Sequence, residues 1–227
     1  MNGAGARQLA FDLPHAESFR RDDFLPDRSN EAALALVDAW PAWPARVVAI
    51  AGPPGSGKSH LATIWSERSG ARIVDAASLV RDEVPRALAT GALVVEDLAP
   101  GRIDEAAMFH LLNLAREEEA FILITVASRI DFEGHQLADL SSRLRAVPVI
   151  ALEPPSDALI ASVLVKHFAD RQLLVDEDTI GYLLPRIERS LAATRLAATR
   201  LDRAALTRGR RITRVLAAEL FREESQF

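Results

Sequence analysis

"GPPGSGKS", residues 52–59, fits the pattern G-x-x-x-x-G-K-[ST] in full. It follows an apolar run, "ARVVAIAG" (45–52), of the buried-strand kind, and it opens a helix read from "SHLATIWSERSG" (59–70) and stopped by Gly70. In that strand–loop–helix context the loop holds phosphate. Gly55 and Gly57 let the backbone fold so that its N–H groups point inward at phosphate oxygens. The positive end of the following helix adds to the field. Lys58 then reaches the β and γ phosphates, and the Ser59 hydroxyl faces Mg²⁺. Gly52, Pro53 and Ser56 complete the loop, and His60 follows it. The expected ligand is a purine nucleoside tri- or diphosphate with Mg²⁺.

Outward from the loop, strands alternate with helices. "ARIVDAA" (71–77), "ALVVEDL" (92–98), "FILITVAS" (121–128) and "AVPVIAL" (146–152) read as strands. "SNEAALALVDAW" (29–40), capped by Ser29 or Asn30, "DEVPRALATG" (82–91) and "DEAAMFHLLNLAREEEA" (104–120) read as helices. The alternation implies an α/β domain with a parallel sheet covered on both faces. At "LEPPSD" (152–157) the pattern changes, and everything after it reads as helix, with Ser156 as one cap, Pro185 as a break and Gly209 as a stop. The expected organisation is a tail over 1–18, an α/β nucleotide-binding domain over 19–153 and a small all-helical domain over 154–227.

A phosphate loop needs an acidic partner at the end of a neighbouring strand. "LVVED" (93–97) supplies Glu96 and Asp97: one carboxylate to hold Mg²⁺ through water, the other to orient an attacking water. The chain has 227 residues, a net charge of −5, no cysteine and only two lysines, Lys58 and Lys166. Those values exclude disulfides, thiolate chemistry and sulfur-bound zinc, and they argue against a whole-molecule polyanion binder. No apolar run is long enough to cross a bilayer and no secretion signal is evident, so a cytoplasmic protein is expected.

Together with the helical C-terminal part and "DLSSRLRA" (139–146), these motifs resemble the AAA+ ATPases, within them the DnaA branch, and most closely its short Hda-like regulators. The resemblance runs from about residue 19 to about residue 220. It implies a five-stranded parallel sheet in the order 5-1-4-3-2 with a helical lid. It also implies that "DDFLPDRSN" (22–30) lies against the adenine through Phe24, Leu25 and Asn30. Arg143 of "DLSSRL", in a loop ahead of the fifth strand with the polar neighbours Asp139, Ser141 and Ser142, matches the arginine finger of this branch, the residue that reaches into a neighbouring subunit's nucleotide. Arg189, ahead of "SLAA", would be the second sensor of the lid, with Arg186, Arg195 and Arg200 crowding the same helices. The first sensor is either Thr125 or Ser128. Glu96 stands where the branch usually has Asp. DnaA continues into a DNA-reading domain that nothing after Gly209 can form, so no direct sequence-specific DNA binding is expected.

The strip "QLAFDL" (8–13) resembles the short peptide by which bacterial replication proteins hold the DNA polymerase III sliding clamp (its β subunit). Leu9, Phe11 and Leu13 would enter a hydrophobic groove with Gln8 at its rim; the same strip could pair two copies of the chain. The resemblance therefore implies a regulator with weak intrinsic ATPase activity at most that carries ATP or ADP, with ADP favoured, and Mg²⁺. Held by the DNA-loaded clamp, it would supply Arg143 to ATP-bound DnaA. The alternatives are a helicase-loader-like ATPase and a non-catalytic DnaA-binding adaptor.

Overall fold

The computed structural model describes residues 19–132 and 134–222, so the strip at 8–13 lies outside the described residues. Five parallel strands form one sheet: β1 (Val47–Ala51), β2 (Arg72–Asp75), β3 (Ala92–Leu98), β4 (Phe121–Val126) and β5 (Val149–Ala151). Their order, β2-β3-β4-β1-β5, is the expected one read from the other edge. Val, Ile, Leu and Ala fill the central strands because both faces are covered. On one face α1 (Glu31–Ala39) and α2 (Lys58–Ser69) pack around Trp65, which is fully buried and stacked on Trp43. On the other lie α3 (Val84–Leu88), α4 (Glu105–Glu117) and α5 (Ala138–Arg145), centred on Met108, Leu111 and Leu144.

After β5 the described residues form only helices: α6 (Asp157–Asp170), α7 (Glu177–Leu183), α8 (Leu191–Arg208) and α9 (Arg214–Arg222), with an apolar cluster of their own around Leu164, Phe168, Leu183 and Leu201. Their boundaries follow local chemistry. Ser156 accepts from the Leu159 N–H, Asp176 from Thr179 and Ser190 from Ala193, which satisfies otherwise orphaned helix-start donors. Gly209 ends α8 at φ 58°, where a residue with a Cβ would be strained. Two local expectations change. Asn30 is the N-cap of α1, but its side chain turns back, accepting from Asp27 N–H and donating to the Leu25 carbonyl. Arg143, expected in a loop before β5, sits on the helix α5. Among the described residues no helix is long and apolar enough to cross a membrane.

Candidate nucleotide cavity and the arginine helix

The phosphate loop leaves β1 at its C-terminal end and delivers the chain into α2, as the strand–loop–helix reading requires. Gly57, at φ 103°, is the N-cap of α2. A Cβ on Gly52 would come within 2.7 Å of Ser56 Oγ and 3.0 Å of Leu152 Cβ, so a side chain there would displace the loop. Lys58 is buried, and its ammonium donates to the carbonyls of Gly52 (2.7 Å) and Pro53 (3.1 Å). Those bonds hold the ammonium over the loop.

A cavity of about 540 Å³ opens above the loop. Gly55, Gly57, Lys58, Ser59 and His60 line one side. The segment 19–30 forms a strap along another, through Phe19, Phe24, Leu25 and Asn30. The three residues expected to meet the base therefore all reach the cavity. Phe24 is buried and meets His60 edge-to-face with ring centroids 5.1 Å apart. Burial pushes the His60 imidazole below its ordinary pKa, partly offset by the Arg20 carbonyl 3.1 Å from Nε2. The neutral ring extends the apolar wall.

The strap is tied to the helical part at two points. Asp27 accepts from Ser29 N–H, Ser29 Oγ and Ser156 Oγ, at 3.1, 2.6 and 2.8 Å, so it also steadies the cap of α6. The Ser29 hydroxyl is the first cause that holds the Asp27 carboxyl down, to about 2. Lys166 pairs with Asp23 of the strap (2.7 Å) and with Asp170 (3.0 Å). Burial works against its charge, but the two carboxylates outweigh burial and raise its pKa.

α6 and α8 supply wall residues that the sequence reading did not pick out: Leu159, Val163, Lys166, His167 and Arg195. On α6 they fall at helical spacing, the one signal that could have marked them. The start of α8 rests directly on the phosphate loop. Leu191 N–H donates to the Gly55 carbonyl at 2.9 Å, and a Cβ on Gly55, whose φ is 72°, would lie 2.7 Å from Ala192 Cβ. Arg189 does not line the cavity. It pairs with Asp157 at 2.9 Å and is largely exposed, so the arginine α8 directs to the cavity is Arg195, not Arg189.

Ser56 Oγ and Glu96 Oε1 are buried without a hydrogen-bond partner among the described groups. Among the described residues no cluster of three or more His, Cys, Asp or Glu could hold a metal alone. Ser59 lines the cavity, whereas Glu96 and Asp97 are not among its lining residues; Mg²⁺ would need a shell mixed from such oxygens, phosphate and water, as is usual for that ion. Asp97 is exposed, with φ 54°, and its N–H donates to Thr125 Oγ1 at 3.0 Å. Thr125 is fully buried and Ser128 exposed. Thr125 is thus the candidate first sensor in contact with the acidic pair.

Arg143 lies elsewhere. Its guanidinium stacks 4.8 Å from the centre of the Phe109 ring on α4. It is half-buried and lines a second cleft of about 460 Å³ that also includes Arg46 and Arg116. It is not among the residues lining the cavity over its own phosphate loop.

This arrangement is the fold of DnaA domain III. Domain III of the Thermotoga maritima replication initiation protein DnaA superposes with a TM-score of 0.73 at 18% identity, covering 92% of this chain and 97% of that one. AMPPCP-bound DnaA from Aquifex aeolicus gives 0.65 at 16% identity over 82% of this chain, which spans 66% of that protein. The Thermotoga maritima RuvB Holliday junction branch migration motor gives 0.68 at 17% identity over 89% of this chain and 70% of that one. No protein-family model matches.

Proposed function

We propose that this chain is a nucleotide-bound AAA+ regulator of the Hda type that restrains chromosome replication by promoting hydrolysis of ATP held by DnaA. The observation that carries this reading is the separation of Arg143 from the chain's own phosphate cavity: the guanidinium lines a different cleft. A finger that serves a neighbour must leave its own nucleotide alone.

In this reading the chain binds ADP in preference to ATP, with Mg²⁺. Lys58 and the loop N–H groups take the phosphates, the strap and His60 take the base, and Ser59 and Glu96 hold the ion. Mg²⁺ would draw charge from the phosphates; the chain's residues position them and exclude water. Asp97 could orient a water, but the chain's own turnover is weak at most. The bound nucleotide acts mainly to fix α8 against the phosphate loop, and with it the relation of the helical part to the sheet. Support for nucleotide binding also comes from the AMPPCP carried by DnaA, whose fold this chain shares.

Gln8, Leu9, Phe11 and Leu13 hold the sliding clamp, which brings the chain to DNA-bound DnaA. Arg143 then enters the nucleotide site of DnaA. Its planar, permanently charged fork meets the charge that builds up on the transferring phosphoryl group. Fingers of this kind are worth about 10³- to 10⁵-fold in rate. The test mixes DnaA–ATP, clamp-loaded DNA and the chain, with and without residues 1–14. The intact chain accelerates ATP loss and co-purifies with the clamp, and the truncated one does neither. Equal acceleration without the clamp or the tail overturns the clamp role; intact DnaA binding with an unchanged lifetime of DnaA–ATP favours an adaptor.

A further inference from the structure

The helix that carries Arg143 has no cap of its own. α5 is eight residues long, and its N-cap is Leu137, whose side chain offers no acceptor. An uncapped helix of that length is marginal, because its first N–H groups are orphaned and few intrahelical bonds repay nucleation. An acceptor for the N–H of the N-cap, and for the one before it, comes from another helix. Glu105, the first residue of α4, accepts from Leu137 N–H through Oε2 at 2.8 Å and from Gln136 N–H through Oε1 at 2.9 Å. His135 Nδ1 lies 3.3 Å from the same Oε1, and that imidazole is fully shielded from solvent.

The carboxylate thus sits at the positive end of α5, where a negative charge is favoured. Burial raises its pKa, but the Leu137 and Gln136 N–H groups together with His135 outweigh burial and hold it below the ordinary value. Glu105 is itself fixed, because Asp104 caps α4 by accepting from Ala107 N–H at 3.0 Å. One turn along the same stripe of α4, four residues on from Glu105, Phe109 lies beneath the Arg143 guanidinium. One face of one helix therefore holds both the start of α5 and the side chain near its end.

We propose that Glu105 is the positioning residue for Arg143: by capping α5 from α4 it sets where the guanidinium is held. The inference rests on the regulatory reading above.

The test uses the full chain with Glu105→Gln, which replaces one acceptor oxygen with a donor. Hydrogen exchange of the α5 amides rises about 10-fold or more in Glu105→Gln, with α6–α9 unchanged. Turnover of DnaA-bound ATP falls on the order of 10- to 100-fold, the cost of a misplaced catalytic group, while DnaA association and ADP affinity hold. The double variant Glu105→Gln/Arg143→Ala is no worse than Arg143→Ala alone, as expected of residues acting as a unit. Unchanged α5 exchange in Glu105→Gln overturns the proposal. So does full turnover by Glu105→Gln where Arg143→Ala has lost it. If Arg143→Ala itself retains full turnover, the regulatory reading fails instead, and the exchange measurement alone decides whether Glu105 seats α5.

Discussion

Replacing Asp27 with Asn removes a charge and keeps the shape, so it isolates what the carboxylate contributes to holding the strap. The carboxyl falls from an ordinary 3.8 to about 2, chiefly through the Ser29 hydroxyl and N–H, with Ser156 as a further donor. At 1.36 kcal/mol per tenfold change in proton affinity, that fall amounts to about 2.4 kcal/mol as an upper bound. Solvent around this half-buried group screens part of it, leaving about 1–2 kcal/mol. The stabilisation belongs to the ionised form, because the folded pKa is the lower one. It is complete above the unfolded value near 3.8 and is lost as pH falls through about 2. Urea unfolding of Asp27→Asn should show the chain about 1–2 kcal/mol less stable at about pH 7, roughly half that difference at about pH 3, roughly a sixth at about pH 2 and almost none at about pH 1. Because Phe24, Leu25 and Asn30 ride on the same strap, ADP affinity should fall about 3- to 10-fold. A stability difference that is the same at pH 3 and pH 7, or no difference at pH 7, refutes the reasoning.

Lys58→Ala should weaken ADP binding about 10- to 100-fold in calorimetry, since a charge-assisted phosphate contact is lost. Arg195→Ala should weaken it several-fold, whereas Arg189→Ala, which breaks only an exposed pair with Asp157, should leave it within about twofold. Gly55→Val should destabilise the chain by about 1–3 kcal/mol in thermal unfolding, because its Cβ would lie 2.7 Å from Ala192 Cβ on a backbone with φ 72°.

The strands and the position of the phosphate loop were readable because both rest on local chemistry: apolar runs of strand length, glycines, and caps within a few residues of the elements they start; the order of the strands came from the family resemblance alone. What was missed depends on partners far along the chain. α5 replaces an expected loop, and the acceptor at its start, Glu105, lies 32 residues before Leu137, out of reach of a local reading. Which lid arginine meets the cavity depends on the rotation of α8, fixed where Leu191 and Ala192 land on Gly55. Nothing within the repeated "LAATR" pattern sets that rotation, so Arg189 and Arg195 could not be told apart by position. The contribution of α6 to the cavity was likewise invisible until the strap bound Ser156 and Lys166. Asn30 lines the cavity, and its side chain braces the strap rather than capping α1.

The central claim is that a guanidinium on this chain acts on a nucleotide held by another. Single-turnover hydrolysis of labelled ATP preloaded on DnaA, with clamp-loaded DNA present, tests it most directly. The account predicts that Arg143→Ala and Arg143→Lys lose the acceleration while still binding ADP and DnaA. Full acceleration by Arg143→Ala contradicts it.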